Sequence, residues 1–234
     1  MTYVFAPSPP GAPAFGAPGA PVLDLVGRSS VLDDADRAAV TAVAALPGAI
    51  ALWRSWQLDG PTRVYVLATT GKPPAFPAHC YTPGDDLSPY VRAARRSSAL
   101  LWTAADAPPL RLAQVFDADG GFAPDHERLD GPGRDHVLAY LTAGAAVLGT
   151  TDRGTDVVDP ERGAVVPLDL RTDGRWIWPD MVTYYLREHG LAPEPDLLAA
   201  IRAAAAPPAV DPVGEHRALA ALFQSGALSP AGSA

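Results

Sequence analysis

The sequence predicts an α+β fold built from antiparallel hairpins packed with short helices, and three observations carry the prediction. Two Asp-Gly turns, Asp59-Gly60 and Asp173-Gly174, each join runs in which apolar and polar residues alternate, the pattern of an antiparallel hairpin. Between them lie short helical patterns opened by Ser, Asp or Pro and closed by Gly or Pro. Strands and helices do not alternate regularly, which argues against a doubly wound parallel sheet.

The elements follow in order. Residues 1–21 carry prolines and glycines with no apolar period and read as a flexible Pro/Gly/Ala-rich arm. A single globular domain is expected over residues 22–206. Asp33 or Asp34 caps a helix whose Val40, Val43 and Leu46 share a stripe, and Pro47-Gly48 ends it. Residues 49–58 and 62–69 pair across Asp59-Gly60-Pro61, and residues 71–87 form a Pro-rich loop. Ser88-Pro89 opens a helix to about Ser97, with proline where its missing N–H costs nothing. Residues 99–104 and 110–116 read as strands, 117–133 as an acidic surface loop, 134–144 as a helix ending at Gly144, and 145–151 as a buried strand. A helix over 196–205 capped by Asp196 precedes a linker and a last amphipathic helix over 213–225.

An internal echo accompanies this order. Residues 77–89 align with 167–179 through Pro77/Pro167, Thr82/Thr172, Gly84/Gly174 and Pro89/Pro179, and residues 64–71 resemble 145–152. Either two halves, about 49–97 and 145–190, are related, or the abundance of Pro and Gly supplies the matches by chance.

Composition narrows the function. At 234 residues and 48% hydrophobic, the chain is long enough to bury a large core without a staple. Its formal net charge of −8, with no basic stripe interleaved with aromatics, excludes nucleic acid as a partner. A lone cysteine, Cys80, excludes an intramolecular disulfide framework and fits a reducing cytosol. No basic-then-apolar leader and no run of roughly eighteen apolar residues is present, so a cytoplasmic protein with no membrane partner is expected.

The chemistry of sites is sparse. No phosphate loop, nucleophile elbow, His-Glu-x-x-His or Cys-x-x-Cys occurs, and no cofactor or metal is expected. His79 and Cys80 are adjacent and point to opposite sides of an extended chain, so a catalytic Cys80 would need His126, His136, His189 or His216 brought to it by the fold. A small buried core cysteine is the expectation. Asp117, Asp119 and Asp125 resemble the start of a calcium loop, but Gly121, Phe122 and Arg128 stand where a ligand, a glycine and a glutamate are needed. His126 and His136, ten residues apart, lack the spacing of zinc ligands and read as loop residues. Arg92, Arg95 and Arg96 fall at i, i+3 and i+4 and share a helix face that could meet an acidic partner, against the alternative of a solvated face.

The densest stretch is "RTDGRWIWPDMVTYYLREHG", residues 171–190. The Asp-Gly turn places Trp176 and Trp178 on one strand face and Ile177 on the other. Pro179 then starts a helix with Asp180 at its positive end, Met181/Tyr185 and Val182/Leu186 form stripes, Arg187 and His189 sit in the last turn, and Gly190 caps it. Packing claims Trp176, Trp178 and Tyr185, while Arg171, Arg175 and Tyr184 remain as exposed groups suited to a protein contact. The block Arg171–Gly174, Trp176–Pro179 and Tyr184–Leu186 resembles one in uncharacterised proteins of high-GC actinobacteria, some of them encoded beside polymorphic toxins. The resemblance covers about residues 155–200 and implies an immunity-like or toxin-associated role.

Three functions are therefore weighed. The first is a non-enzymatic, cytoplasmic protein-binding module using Arg92, Arg95, Arg96, Arg171, Arg175 and Tyr184. The second is a small hydrolase or transferase with a Cys/His/Asp site assembled by the fold. The third is a scaffold component tethered by its termini.

Overall fold

The structure, a computed structural model, describes residues 3–11, 19–106, 108–117, 120–204, 206 and 209–224. It is an α+β fold of hairpins and helices, as expected. The chain divides into two compact units, Met1–Ala107 with Leu219–Ala234, and Pro108–Ala218. The division falls inside the stretch 22–206 expected as one domain, between the two strands read at 99–104 and 110–116. Pro108 and Pro109 separate those strands, and they join different sheets.

The first unit contains β1 (Phe5–Ala6), β2 (Leu23–Asp24), α1 (Asp34–Ala44), β3 (Ala49–Gln57), β4 (Thr62–Thr69), β5 (His79–Tyr81), α2 (Pro89–Arg96) and β6 (Ala99–Thr103). The hairpin β3–β4 pairs Leu52 with Leu67 and Trp53 with Val66, and the sheet order is β2-β6-β3-β4-β5. Because side chains alternate across a strand, Leu52 and Leu67 bury against Ala39 and Val43 of α1, while Trp53 faces the other way. Asp33 caps α1 by accepting from the Asp36 N–H at 2.9 Å, and Ser88 caps α2. On the α1 face, buried Arg54 pairs with buried Asp36, which also accepts from the Tyr65 hydroxyl at 2.8 Å.

Part of the arm expected to be flexible is a strand. Phe5 and Ala6 pair with Gln57 and Trp56, the Pro7 carbonyl accepts from Arg54 Nη2 at 2.8 Å, and Tyr3 and Phe5 set ring edges against Tyr90. The proline count concealed this because pairing uses the two residues before Pro7, whose N–H groups are intact. Residues 12–18 of that arm lie outside the described residues.

The second unit contains β7 (Arg111–Leu112), α3 (Gly131–Ala143), β8 (Ala145–Leu148), β9 (Arg153–Thr155), β10 (Ala164–Pro167), β11 (Leu170–Thr172), β12 (Trp176–Pro179), α4 (Asp180–His189) and α5 (Pro195–Ala203). Its main sheet runs β7-β12-β11-β8, with β7 parallel to β12, and β9–β10 is a separate hairpin. Asp173 closes the β11–β12 turn by accepting from the N–H groups of Arg175 and Trp176. Trp176 and Trp178 then share one face and bury with Tyr140, Leu141, Leu186, Leu197 and Ile201. The strand expected to be buried at 145–151 is an edge strand, β8, whose residues alternate between half-buried and exposed. Its run of small apolar residues tolerates water on one side, so apolarity alone overstated its burial.

The last helix, α6 (Pro212–Gln224), contains the boundary between the units, which falls between Ala218 and Leu219. The expected residue 225 lies outside the described residues. The two stretches of the internal echo fall in different units and differ in chain direction. β5 runs parallel to β4, whereas β11 runs antiparallel to β8.

Candidate functional site

The site begins with strand β7, which is short for a reason. Pro108 and Pro109 cannot donate to a ladder, so pairing starts at Arg111. The N–H groups of Arg111 and Ala113 donate to the carbonyls of Arg175 and Ile177 at 2.9 and 2.8 Å. By alternation, the N–H and C=O of Leu112 point away from the sheet, along its free edge. The Leu112 side chain is 44% exposed. At the next outward position, the Gln114 N–H donates to Glu194 Oε2 at 2.7 Å.

This edge opens onto a groove of about 670 Å³ lined by Arg111, Leu112, Gln114, Val115, Phe116, Asp117, His126, Trp176, Glu194, Pro195 and Asp196. The Arg111 guanidinium carbon lies over the Trp176 ring, 4.2 Å from its centroid, and Arg111 pairs with Asp196. Trp176 is held in place by the core beneath it, so the cation rests on a rigid aromatic floor.

Also lining the groove, His126 has Nδ1 2.9 Å from Asp117 Oδ2 and Nε2 2.9 Å from the Ala192 carbonyl. The Ala123 N–H donates to the same Asp117 oxygen, and this bond together with His126 holds the Asp117 carboxyl below its ordinary range. Both His126 nitrogens lie within hydrogen-bond distance of groups of the protein itself, so neither faces the groove without a partner. Geometry therefore makes Asp117–His126 a brace for the 117–126 loop.

A second polar cluster is closed. Buried Asp156 accepts from His189 Nε2 at 2.7 Å, the Tyr184 hydroxyl at 2.9 Å, and the N–H groups of Val158 and Asp159 at 2.9 and 3.1 Å. Burial alone would raise its pKa, but these donors outweigh burial and hold it down at about 2. Arg162 bridges the Tyr184 hydroxyl and Glu188. The cluster pins the loop after β9 onto α4.

The sequence-derived contact residues separate accordingly. Tyr184, expected to be exposed, is only 9% exposed, because its hydroxyl satisfies Asp156. Arg171 is committed to structure: its Nε donates to Asp180 at 2.7 Å and its Nη1 to the carbonyls of Gly144 and Thr142. Arg95 sits over Trp53, 5.9 Å from the ring centroid, so it leaves the shared face, while Arg92 and Arg96 are exposed. Arg175 is exposed, as expected. Arg92, Arg95 and Arg96 belong to the first unit and Arg171, Arg175 and Tyr184 to the second.

Cys80 is exposed on edge strand β5 instead of buried in a core, and the partial withdrawal of its sulfur from water raises its pKa, which disfavours the thiolate. His136 is exposed, with Nε2 3.5 Å from the Ile201 carbonyl. Asp119 lies outside the described residues. Among the described residues, no three His, Cys, Asp or Glu side chains gather as metal ligands, and no helix is long and apolar enough to cross a membrane.

Sequence reasoning missed the groove because Arg111, Glu194 and Asp196 lie about eighty residues apart along the chain and match no short motif. The available signal was Pro108-Pro109 ahead of an apolar run, which marks an edge strand. Compared with family models, curated proteins and solved structures, the chain matches none.

Proposed function

We propose that the chain is a non-enzymatic, cytoplasmic protein-binding module, immunity-like or toxin-associated as the block over 171–190 implies, which takes its partner into the groove beside β7. The observation that carries this reading is the free edge of β7 standing over a rigid Arg111–Trp176 pair. Aromatic and guanidinium groups of this kind concentrate binding energy at protein interfaces. Exposed Arg175, in the same unit, remains as an outlying contact, and exposed Arg92 and Arg96 of the first unit remain as a separate candidate surface. The net charge of −8 favours a protein over a nucleic acid.

One observation favours the hydrolase or transferase reading: a His/Asp pair does line the groove. The engagement of both His126 nitrogens weighs against it.

Affinity capture from the source cell with the full chain tests the proposal. A stoichiometric partner held by the wild type and by Cys80→Ala, and lost on Arg111→Ala or Leu112→Asp, is the expected result. Recovery of no partner under mild salt, or a partner indifferent to both groove variants and to Arg92→Ala, overturns it.

A further inference from the structure

Resting on that protein-binding reading, we infer that the occupant of the groove is an extended, basic segment of another polypeptide, added to the free edge of β7 as a further strand of its sheet. The backbone defines the mode. Arg111 and Ala113 spend their N–H groups on β12, so the N–H and C=O of Leu112 face outward as a donor–acceptor pair. A residue opposite Leu112 in an antiparallel strand exchanges both bonds with it.

The next outward donor shows what the edge accepts. Glu194 Oε2 takes the Gln114 N–H at 2.7 Å, where a neighbouring strand would place a carbonyl. An incoming strand's carbonyl can replace that oxygen and release the Glu194 carboxylate to a cation. Pro108 and Pro109 limit the pairing to the few residues beyond them, so the added strand is short and its side chains must supply much of the affinity.

Charge gives the segment its chemistry. Asp117, Glu194 and Asp196 line the groove, and among the described residues lining it Arg111 is the one lysine or arginine. Arg111 is already paired with Asp196 and stacked on Trp176, while Glu194 faces only a backbone N–H among its described partners. A Lys or Arg on the added strand meets Glu194, and the half-exposed Leu112, Val115 and Phe116 seat its apolar neighbours.

Selection from a random peptide library against the immobilised full chain tests the inference. The enriched pool is expected to carry net positive charge and β-branched residues and to weaken as salt rises. Leu112→Pro removes the outward N–H together with the side chain and fixes φ, so circular dichroism checks that it folds and Leu112→Ala isolates the side chain's share; the proline should lower affinity for an enriched peptide about tenfold or more, and the alanine less. Glu194→Gln should reduce the preference for basic peptides. An acidic or neutral pool, no enrichment, or indifference to Leu112→Pro overturns the inference. If a captured cellular partner survives Leu112→Pro and is lost on Arg92→Ala, this inference fails while the protein-binding reading stands. If neither partner nor peptide binds, both fail.

Discussion

At the scale of single residues, the tightest constraint in the second unit is Gly144 against Trp178. The glycine's φ of −55° is open to any residue, so backbone conformation does not require it. Packing does: a Cβ there would overlap the Trp178 ring. Gly144→Ala should cost about 1–3 kcal/mol through overpacking, and Trp178→Ala about 3–5 kcal/mol through a cavity, both read by urea denaturation. An alanine at 144 that leaves stability unchanged would show that the ring has room to move. Asp156 predicts a pH dependence. Its folded pKa, held down at about 2, lies below the ordinary value of 3.8, so its contribution is fully present above the unfolded value and is lost as pH falls through the folded one. The wild type should therefore lose about 2 kcal/mol more than Asp156→Asn between about pH 4 and pH 2. Parallel stability curves for the two proteins would refute the role given to the cluster. The packing of Trp178 was legible in the strand alternation, but the Asp156 cluster was not, because Asp156 and His189 each look like ordinary surface residues and acquire meaning only when α4 brings them together.

At the scale of elements, local rules and tertiary context divide the molecule clearly. The caps at Asp33 and Ser88, the β3–β4 and β11–β12 hairpins, and the proline-started α4 were legible because each is fixed by residues within a few positions of one another. Gly190, at φ +72°, ends α4 and donates its N–H to the Leu186 carbonyl at 3.1 Å. Gly190→Ala should destabilise the second unit by about 1 kcal/mol, visible as a lowered thermal midpoint, since alanine pays for the left-handed conformation that glycine adopts freely. Which strands lie at edges was less legible. Pro108-Pro109 marks β7 as an edge strand, but β8 is apolar enough to pass for an interior strand, and its free edge follows from sheet order, which its local pattern does not encode. The groove inherits that illegibility: its floor, Trp176, is in the strongest motif of the chain, but its walls come from the 108–117 segment and the start of α5.

At the scale of the whole molecule, residues 3–11 and the end of α6 are structural parts of the first unit, which bears on whether the chain is a scaffold tethered by loose ends. The N-terminal segment lends β3 two paired residues, gives Arg54 the Pro7 carbonyl and buries Phe5. The end of α6 returns to the same unit, where Gln224 Oε1 accepts from the Asp24 N–H at 3.0 Å. Removing residues 1–11 should leave Arg54, a buried cation, with one fewer acceptor and strip the pairing from Trp56 and Gln57. Each lost buried bond costs about 1–3 kcal/mol, so a drop of several kcal/mol in the first unit is expected. The measurement is hydrogen exchange on the truncated and full chains, which resolves the units separately. Protection should fall in β3, β4 and α1 and stay unchanged in β11, β12 and α4, because the segment's bonds, among the described residues, end in the first unit. If truncation instead abolished an assembly while β3 kept its protection, the arm would be a tether, and the scaffold reading would replace the one proposed here.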